Sequence, residues 1–354
     1  MADTGFIPKE KWGAFIEGLA SKAQVWVPCL EGDIVIFRPL GKDQTLCFER
    51  PANSPPKEVI FPQCDKLFSF TFNKDAENPQ KVLVELEEKI DFSRTIIIGS
   101  RPCDAKGFLI YDRPFTDTDT PDPYYKGRRE KTTILTMSCK SPSAGCFCTA
   151  VGGGPAEKEG SDALITELEK GYFVEAITEK GKEFLLESDV EDGSAYEAEA
   201  RNKQDAVRSM VKDPLGADGK PHVSPDLFES AEVWQEAVAH CVSCGACTYL
   251  CPTCYCFNIT DERTFEEGQR IRSWDSCMYS HFTLEASGHN PRPTKSQRFK
   301  NRVGHKFVFY PEKYNGLIAC CGCGRCIRYC PVSVDISEIV SNLQKPTGSA
   351  CDGK

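Results

Sequence analysis

The chain has 354 residues, which is enough for about two domains with cores of their own. Its formal net charge of −9 argues against a nucleic-acid partner, and its 20 cysteines far exceed the number in an average chain of this length. Disulfide-rich scaffolds belong to small exported domains, but the first residues, MADTGFIPKEKWGAF, lack the pattern of an export signal. No stretch approaches the roughly 20 apolar residues of a membrane span. We therefore predict a cytoplasmic protein whose cysteines bind metal.

The sequence predicts an α+β protein, in which residues 1–225 form a mixed α/β domain and residues 226–354 form a second domain. A β-branched run bounded by turn residues indicates a buried strand, and apolar residues at helical spacing indicate a helix. The segment after residue 152 is more polar, and Ser161 or Asp162 is expected to cap a helix there. In chain order the other expected elements are a helix at residues 9–22, strands at 35–39 and 94–100, a helix at 104–111 and a strand at 132–138.

Two of the predicted strands run into segments that carry cysteines. Cys103 follows the strand at residues 94–100, and three more cysteines follow the strand at 132–138. Because the carboxyl ends of neighbouring parallel strands meet at one edge of a sheet, four thiolates can converge there. Free thiols in a reducing compartment and a zinc site are the alternatives. We expect a [4Fe–4S] cluster on these four residues, in addition to two further along the chain: Cys103, Cys139, Cys146 and Cys148.

The second domain contains an internal repeat, CVSCGACTYLCP at residues 241–252 and CCGCGRCIRYCP at residues 320–331. The spacing C-x2-C-x2-C-x3-C-P is that of two-cluster ferredoxins, in which the fourth cysteine binds the neighbouring cluster. Four thiolates also suit zinc, but the duplicated spacing favours iron–sulfur clusters. Crossed ligation predicts one [4Fe–4S] cluster on Cys241, Cys244, Cys247 and Cys330, and another on Cys320, Cys323, Cys326 and Cys251.

The segment between the two motifs is too long for a compact bacterial ferredoxin. Residues 262–272 and 276–286 are compatible with helices, so the expected domain is ferredoxin-like and mostly helical. A basic stretch at residues 292–306 is expected to contact an acidic surface of a partner subunit. Four more cysteines are expected to pack against the clusters as small thiols rather than to ligate them: Cys254, Cys256, Cys277 and Cys321.

Longer segments of the chain carry a resemblance to a known family. In the second domain they are CVSCGACTYLCPTCYCFNITDE, WDSCMYSHFTLEASGHNPR and CIRYCPVSVDI, and in the first they are GSRPCDAKGFLIYDRPF and SCKSPSAGCFC. These segments resemble the A-type subunit of anaerobic sulfite reductase and the beta subunit of cytoplasmic sulfhydrogenases, which are NiFe hydrogenases. The resemblance implies a ferredoxin-type electron-transfer subunit in a hetero-oligomeric oxidoreductase of anaerobes.

Subunits of this family relay electrons between a flavin-containing, NAD(P)H-oxidising subunit and a catalytic or bifurcating partner. The complexes they serve are sulfite reductase-, hydrogenase- or heterodisulfide reductase-like. The chain has no phosphate-binding loop and no HExxH motif, and no catalytic residue is predicted. The resemblance therefore implies a non-catalytic relay, and the alternative is a flavin- or F420-binding catalytic subunit that also carries two clusters.

Overall fold

The computed structural model describes residues 3–78, 80–88, 90, 92–216 and 221–344. As the sequence predicts, the fold is mixed α/β, and it contains an eight-stranded and a four-stranded sheet. Within these residues no helix is both long and apolar enough to cross a membrane. The strands are β1 Thr4–Pro8, β2 Gln24–Glu31, β3 Ile34–Pro39, β4 Cys64–Lys74, β5 Val82–Glu87, β6 Thr95–Ser100, β7 Thr132–Met137, β8 Ala163–Glu167, β9 Gly171–Ala176, β10 Glu191–Asp192, β11 Phe257–Thr264 and β12 Glu267–Trp274. The α-helices are α1 Trp12–Leu19, α2 Pro102–Phe115, α3 Pro123–Lys131, α4 Glu179–Glu187, α5 Glu197–Met210, α6 Pro225–Glu229, α7 Ala231–Ala237, α8 Ala246–Tyr249, α9 Lys295–Gly304, α10 Tyr310–Lys313, α11 Arg325–Arg328 and α12 Ile336–Leu343.

The eight-stranded sheet has the order β10-β1-β9-β8-β7-β6-β2-β3. Strands β2, β6, β7 and β8 run parallel to one another, and the flanking pairs are antiparallel. Both β6 (TIIIGS) and β7 (TTILTM) are buried along their whole length, as apolar strands covered on both faces are. Because β6 and β7 are parallel neighbours, Cys103 in the first turn of α2 and Cys139 after β7 lie at the same edge of the sheet.

Most elements of the first domain agree with the sequence. The predicted helix at residues 9–22 contains α1, the predicted helix at 104–111 lies within α2, and the three predicted strands are β3, β6 and β7. The helix expected after Ser161 or Asp162 is wrong, because that segment continues into β8 between β7 and β9. The run ALITE is almost fully buried, and its pairing with two strands outweighs the helix-capping signal before it.

The four-stranded sheet is antiparallel and has the order β11-β12-β4-β5. Residues 262–272 lie in its β11–β12 hairpin, so the helix predicted there is wrong. Residues 276–286 form a 3-10 turn at Ser280–Thr283 in place of the second predicted helix. The second half of the chain is therefore less helical than expected, since β12 pairs with the distant β4, which local periodicity cannot reveal. The division at residue 225 stays a prediction, and residues 345–354 of the second domain lie outside the described part.

One hydrophobic core lies beneath both repeated motifs. It contains Trp234, Phe299 and Val340 from the second half of the chain. It also contains Phe147 and Val151, which come from the segment that carries the N-terminal cysteines. Burial of this shared core therefore holds the N-terminal cysteine segment against the repeated motifs.

Candidate metal centres

The two repeated motifs have matching backbone conformations. Ser243 and Gly322 occupy equivalent positions and both have positive φ, as do Gly245 and Gly324. The third cysteine of each motif then lies in a one-turn helix, α8 or α11. Position 322 requires glycine, because a Cβ there would lie 2.6 Å from the Cα of Cys148. The repeat in the sequence is thus a repeat in the structure.

The cysteines of the first predicted cluster line a single cavity. We call this group the first-motif site: Cys241, Cys244, Cys247 and Cys330. Cys244 is exposed, and the other three are partly buried. The backbone N–H of Ser243 lies 3.4 Å from the sulfur of Cys241 and donates to it, and that of Val334 donates to Cys330 at 3.2 Å. Such donors stabilise thiolates, which are the form that binds metal.

The cysteines of the second predicted cluster line a neighbouring cavity. We call this group the second-motif site: Cys251, Cys320, Cys323 and Cys326. Three of them are at most 9% exposed, and Cys326 also lines the cavity of the first-motif site. Cys321 lines this cavity as well. Each set of four that the motif spacing predicts thus shares a cavity, and its ligation of a single cluster stays a prediction.

Two buried cations lie beside these cavities. Lys306 donates to the sulfur of Cys251 at 3.5 Å, and also to the Thr253 hydroxyl and the Ala319 carbonyl. Burial is the largest single influence and lowers the pKa of Lys306, but the thiolates of Cys251, Cys254 and Cys320 together outweigh it and raise that pKa above its usual range. Arg302 lines both cavities, and its Nη2 donates to the Cys247 carbonyl at 2.8 Å. Its buried Nη1 has no partner within the described residues, as expected of a donor that faces an anionic cofactor.

These positions correct one expectation. The basic stretch at residues 292–306 was expected to face a partner subunit, yet Arg298, Arg302 and Lys306 are 6%, 3% and 3% exposed. Arg298 donates to the carbonyls of Met278 and Pro293 rather than to solvent. The three cations therefore stabilise the interior around the cysteine motifs.

The N-terminal cysteines also come together. We call this group the N-terminal site: Cys103, Cys139, Cys146 and Cys148. The thiol of Cys139 is close enough to interact electrostatically with the other three thiols, and Cys148 also interacts with Cys146. Burial raises the pKa of Cys139 to about 11 and that of Cys148 to about 12, so thiolates here need a positive centre for compensation.

The N-terminal site packs directly on the second motif. The backbone N–H of Phe147 donates to the Gly322 carbonyl at 2.8 Å, and the sulfur of Cys146 lies 3.6 Å from the Cys323 carbonyl oxygen. A fully buried ion pair joins the same regions, since Arg325 of α11 donates to Asp104 of α2 at 2.6 Å. The N-terminal site is therefore adjacent to the second-motif site.

Each of the remaining cysteines near the motifs lies within reach of another thiol. Cys254 lies beside Cys251 and Cys321 beside Cys323, so each is near a cysteine of the second-motif site, and the expected packing role stays a prediction. Cys256 and Cys277 bond to each other. Sequence reasoning did not anticipate these pairs, because they depend on the hairpin and on loop geometry.

The donor chemistry of the two cavities suits iron–sulfur clusters. Each cavity is lined by the four thiols of its predicted set and by one further cysteine. Backbone N–H groups and the unpartnered Nη1 of Arg302 lie beside sulfur atoms that would carry negative charge. In the described ranges, no three His, Cys, Asp or Glu side chains lie close enough together to hold a single metal ion. A cubane cluster spaces its four thiolates more widely than a single ion does.

Comparison with known proteins identifies the family. Residues 240–334 match the family described as "4Fe-4S dicluster domain". The chain is 31% identical over 297 residues to sulfhydrogenase 2 subunit beta of Pyrococcus furiosus, an alignment that covers 82% of this chain and 83% of that protein. The chain belongs to the sulfhydrogenase beta subunit family. Its dicluster domain supports two [4Fe–4S] clusters, and it is an iron–sulfur electron-transfer subunit of an oxidoreductase complex.

Two F420-dependent formate dehydrogenase beta subunits share shorter segments with this sulfhydrogenase-type chain. The protein of Methanocaldococcus jannaschii is 25% identical over 181 residues, which cover 50% of this chain and 40% of that protein. The "1 subunit beta" of Methanococcus maripaludis is 29% identical over 90 residues, which cover 25% and 23%. No solved structure matches the chain. The relatives agree with the predicted hetero-oligomer, since all three are subunits of larger enzymes.

Proposed function

We propose that this chain relays electrons along a row of three clusters, held in order by the first-motif, second-motif and N-terminal sites, and catalyses no reaction itself. The observation that carries the proposal is the sorting of the eight motif cysteines into two adjacent cavities, with Arg302 lining both. Adjacent cavities favour electron transfer between their clusters, because no large segment of protein separates them.

This sorting supports the ligand sets that the motif spacing predicts. The first cluster is held by Cys241, Cys244, Cys247 and Cys330, and the second by Cys320, Cys323, Cys326 and Cys251. Each cluster then takes three ligands from one motif and one from the other, as the spacing of ferredoxin motifs predicts. When bound, the clusters supply one-electron redox chemistry, and the residues of the chain position them, exclude water and set their charge environment.

The third cluster is assigned to the N-terminal site. Its support is the convergence of four cysteines from two parallel strand ends, and their packing against the second motif. Arg325 and Arg328 lie at 4.0 and 3.8 Å from the sulfurs of Cys103 and Cys146, so cations also accompany this group. A cluster there would extend the row beyond the buried second-motif site.

The partners would dock at the two ends of this row. At the first-motif site Cys244 is exposed, and its neighbour Val242 is 62% exposed, which leaves an apolar contact point beside the first cluster. We expect a flavin-containing, NAD(P)H-oxidising subunit at one end and a catalytic or bifurcating redox subunit at the other. Location in the cytoplasm is part of the same proposal.

Counting iron tests the number of clusters. Three clusters correspond to about 12 iron atoms per chain and two to about 8. Cys139→Ser should lower the iron content of the anaerobically purified protein by about 4 atoms. Cys47→Ser, a change outside the three sites, is the matched control. An unchanged iron content in Cys139→Ser would remove the third cluster and leave a relay of two.

The second candidate function is a catalytic subunit that binds flavin or F420. The partial likeness to F420-dependent formate dehydrogenase beta subunits favours it. Denaturing the purified chain releases a bound flavin or F420, whose absorbance and fluorescence are easily measured. Release of one such cofactor per chain would replace the relay by a catalytic role, and its absence would support the relay.

A further inference from the structure

The β11–β12 hairpin brings two cysteines together at its open end. Phe257 pairs with Trp274 at the start of the hairpin, and the backbone N–H of Asp275 donates to the Cys256 carbonyl at 2.9 Å. This places Cys256, just before β11, beside Cys277, just after β12. The two thiols lie within reach of each other, and so do the Cys277 backbone N–H and the sulfur of Cys256.

This pair differs from the other thiol pairs near the motifs. Cys254 and Cys321 each lie beside a cysteine of the second-motif site, and those neighbouring cysteines are proposed cluster ligands. Neither Cys256 nor Cys277 belongs to any of the three sites. Their sulfur atoms are therefore available to react with each other.

The surroundings favour a thiolate at this pair. Lys57 is 4% exposed, donates to the carbonyls of Thr248 and Cys254, and lies 4.1 Å from the centre of the Trp274 ring. No carboxylate pairs with Lys57 in the part of the chain that the structure describes. A buried ammonium without a carboxylate stabilises an anion nearby. The hydrogen bond from Cys277 lowers the pKa of Cys256 to about 7, and the thiolate is the reactive form of cysteine.

We propose that Cys256 and Cys277 are a dithiol–disulfide couple that exchanges electrons with the clusters of this chain. Oxidation of the dithiol breaks two S–H bonds, forms one Sγ–Sγ bond, releases two protons to solvent and passes two electrons to two oxidised clusters, one to each. From the Cys256 thiolate only the proton of Cys277 leaves. On reduction two reduced clusters return one electron each, the Sγ–Sγ bond breaks and two protons are taken up. The inference rests on the proposed function, because the clusters are its oxidant and reductant.

The route between the couple and the clusters passes through Cys254. Its thiol is hydrogen-bonded to Cys251 of the second-motif site, and it lies within electrostatic reach of Cys277. The couple would therefore convert between a two-electron carrier and one-electron clusters inside one chain. Outside thiols have limited access to the couple, since Cys277 is 9% exposed and Cys256 is partly buried.

Alkylation at controlled potential tests the couple in the intact cluster-loaded protein. Anaerobic samples poised at a series of potentials are quenched in acid, unfolded, alkylated with N-ethylmaleimide and digested for mass spectrometry. We expect both cysteines alkylated at low potential and a Cys256–Cys277 cross-link at higher potential, with a two-electron dependence. Cys29, buried in the core of the eight-stranded sheet, is the internal reference and should be alkylated at every potential.

Cys277→Ala should abolish the cross-link and keep the iron content of the parent. Both thiols alkylated at every potential in protein with full clusters would overturn the couple and leave the relay intact. Loss of about 4 iron atoms in Cys277→Ala would also overturn it, because Cys277 would then be a cluster ligand. Failure of the relay itself gives a different result, namely a parent protein without iron or one that releases a flavin or F420 on denaturation.

Discussion

The first-motif and second-motif sites have the same cysteine spacing and the same loop conformation, but their surroundings differ. The first-motif site has an exposed cysteine, Cys244, and its sulfur atoms accept from backbone N–H groups. The second-motif site is buried, lies beside Lys306 and two extra thiols, and packs against the N-terminal site. Cysteine spacing thus determines which residues can ligate a cluster. The surrounding chain determines the charge around each cluster and how far solvent and partners can reach it.

This difference implies different roles for the two clusters. A positive charge beside a cluster stabilises its reduced form, so Lys306 should raise the potential of the second cluster relative to the first. The exposed first cluster is the natural point of exchange with a partner. Electrons that enter there would run inward, toward the higher potential.

The largest effect is expected from the ion pair that joins the second motif to the N-terminal half. Asp104→Ala leaves the guanidinium of Arg325, which is fully buried, without its carboxylate. Removing one partner of a buried ion pair lowers the free energy of unfolding by about 3–5 kcal/mol, because the other charge stays buried without compensation. Urea unfolding of anaerobic protein, followed by circular dichroism, measures this change.

The matched control for Asp104 is an ion pair on the surface of the β11–β12 hairpin. Asp261→Ala removes a 2.7 Å contact with Arg270, but both side chains are more than 40% exposed. Water screens such a pair, so stability should barely change. Equal losses in the two variants would contradict the special role of the Arg325–Asp104 pair.

A smaller and more selective effect is expected at Lys306. Lys306→Met should lower the midpoint potential of the second cluster by about 100 mV, since a unit charge roughly 7 Å away is worth about 2 kcal/mol at an effective dielectric constant near 20. The first cluster should respond less. Redox titration with EPR detection measures both potentials. Lys300→Met, which removes a partly exposed cation paired with Glu229, is the control and should shift neither.

The smallest effect is a difference in the rates at which the clusters are lost. With ferricyanide and a chelator, the first cluster should decay before the second, because Cys244 is exposed while the second-motif site is buried. The EPR signals that remain at successive times after reduction report the order. Faster loss of the second cluster would contradict the assignment of the first-motif site as the outer one.

The sequence predicted the cysteine groups better than their surroundings. Motif spacing is local, so the crossed sets could be written down directly, and the N-terminal site followed from two buried strands. The β11–β12 hairpin could not be predicted, because its pairing with β4 depends on residues far away in the chain. The buried cations were misjudged, although Arg298, Arg302 and Lys306 repeat every four residues, which is the spacing of one helix face. Their neighbours Phe299, Val303 and Phe307 lie in the core under the motifs, and this pattern was the available signal.

Crossed ligation is tested most directly by Cys330→Ala, with Lys306→Met as a label for the second cluster. Cys330→Ala should lose about 4 iron atoms, and the second-motif cluster should be among those that survive. Its midpoint potential should therefore still fall when Lys306→Met is added. In Cys326→Ala, the matched variant of the second motif, no surviving signal should respond strongly to Lys306→Met. If the Lys306-sensitive signal instead disappears in Cys330→Ala, Cys330 ligates the second cluster and the crossed arrangement is wrong.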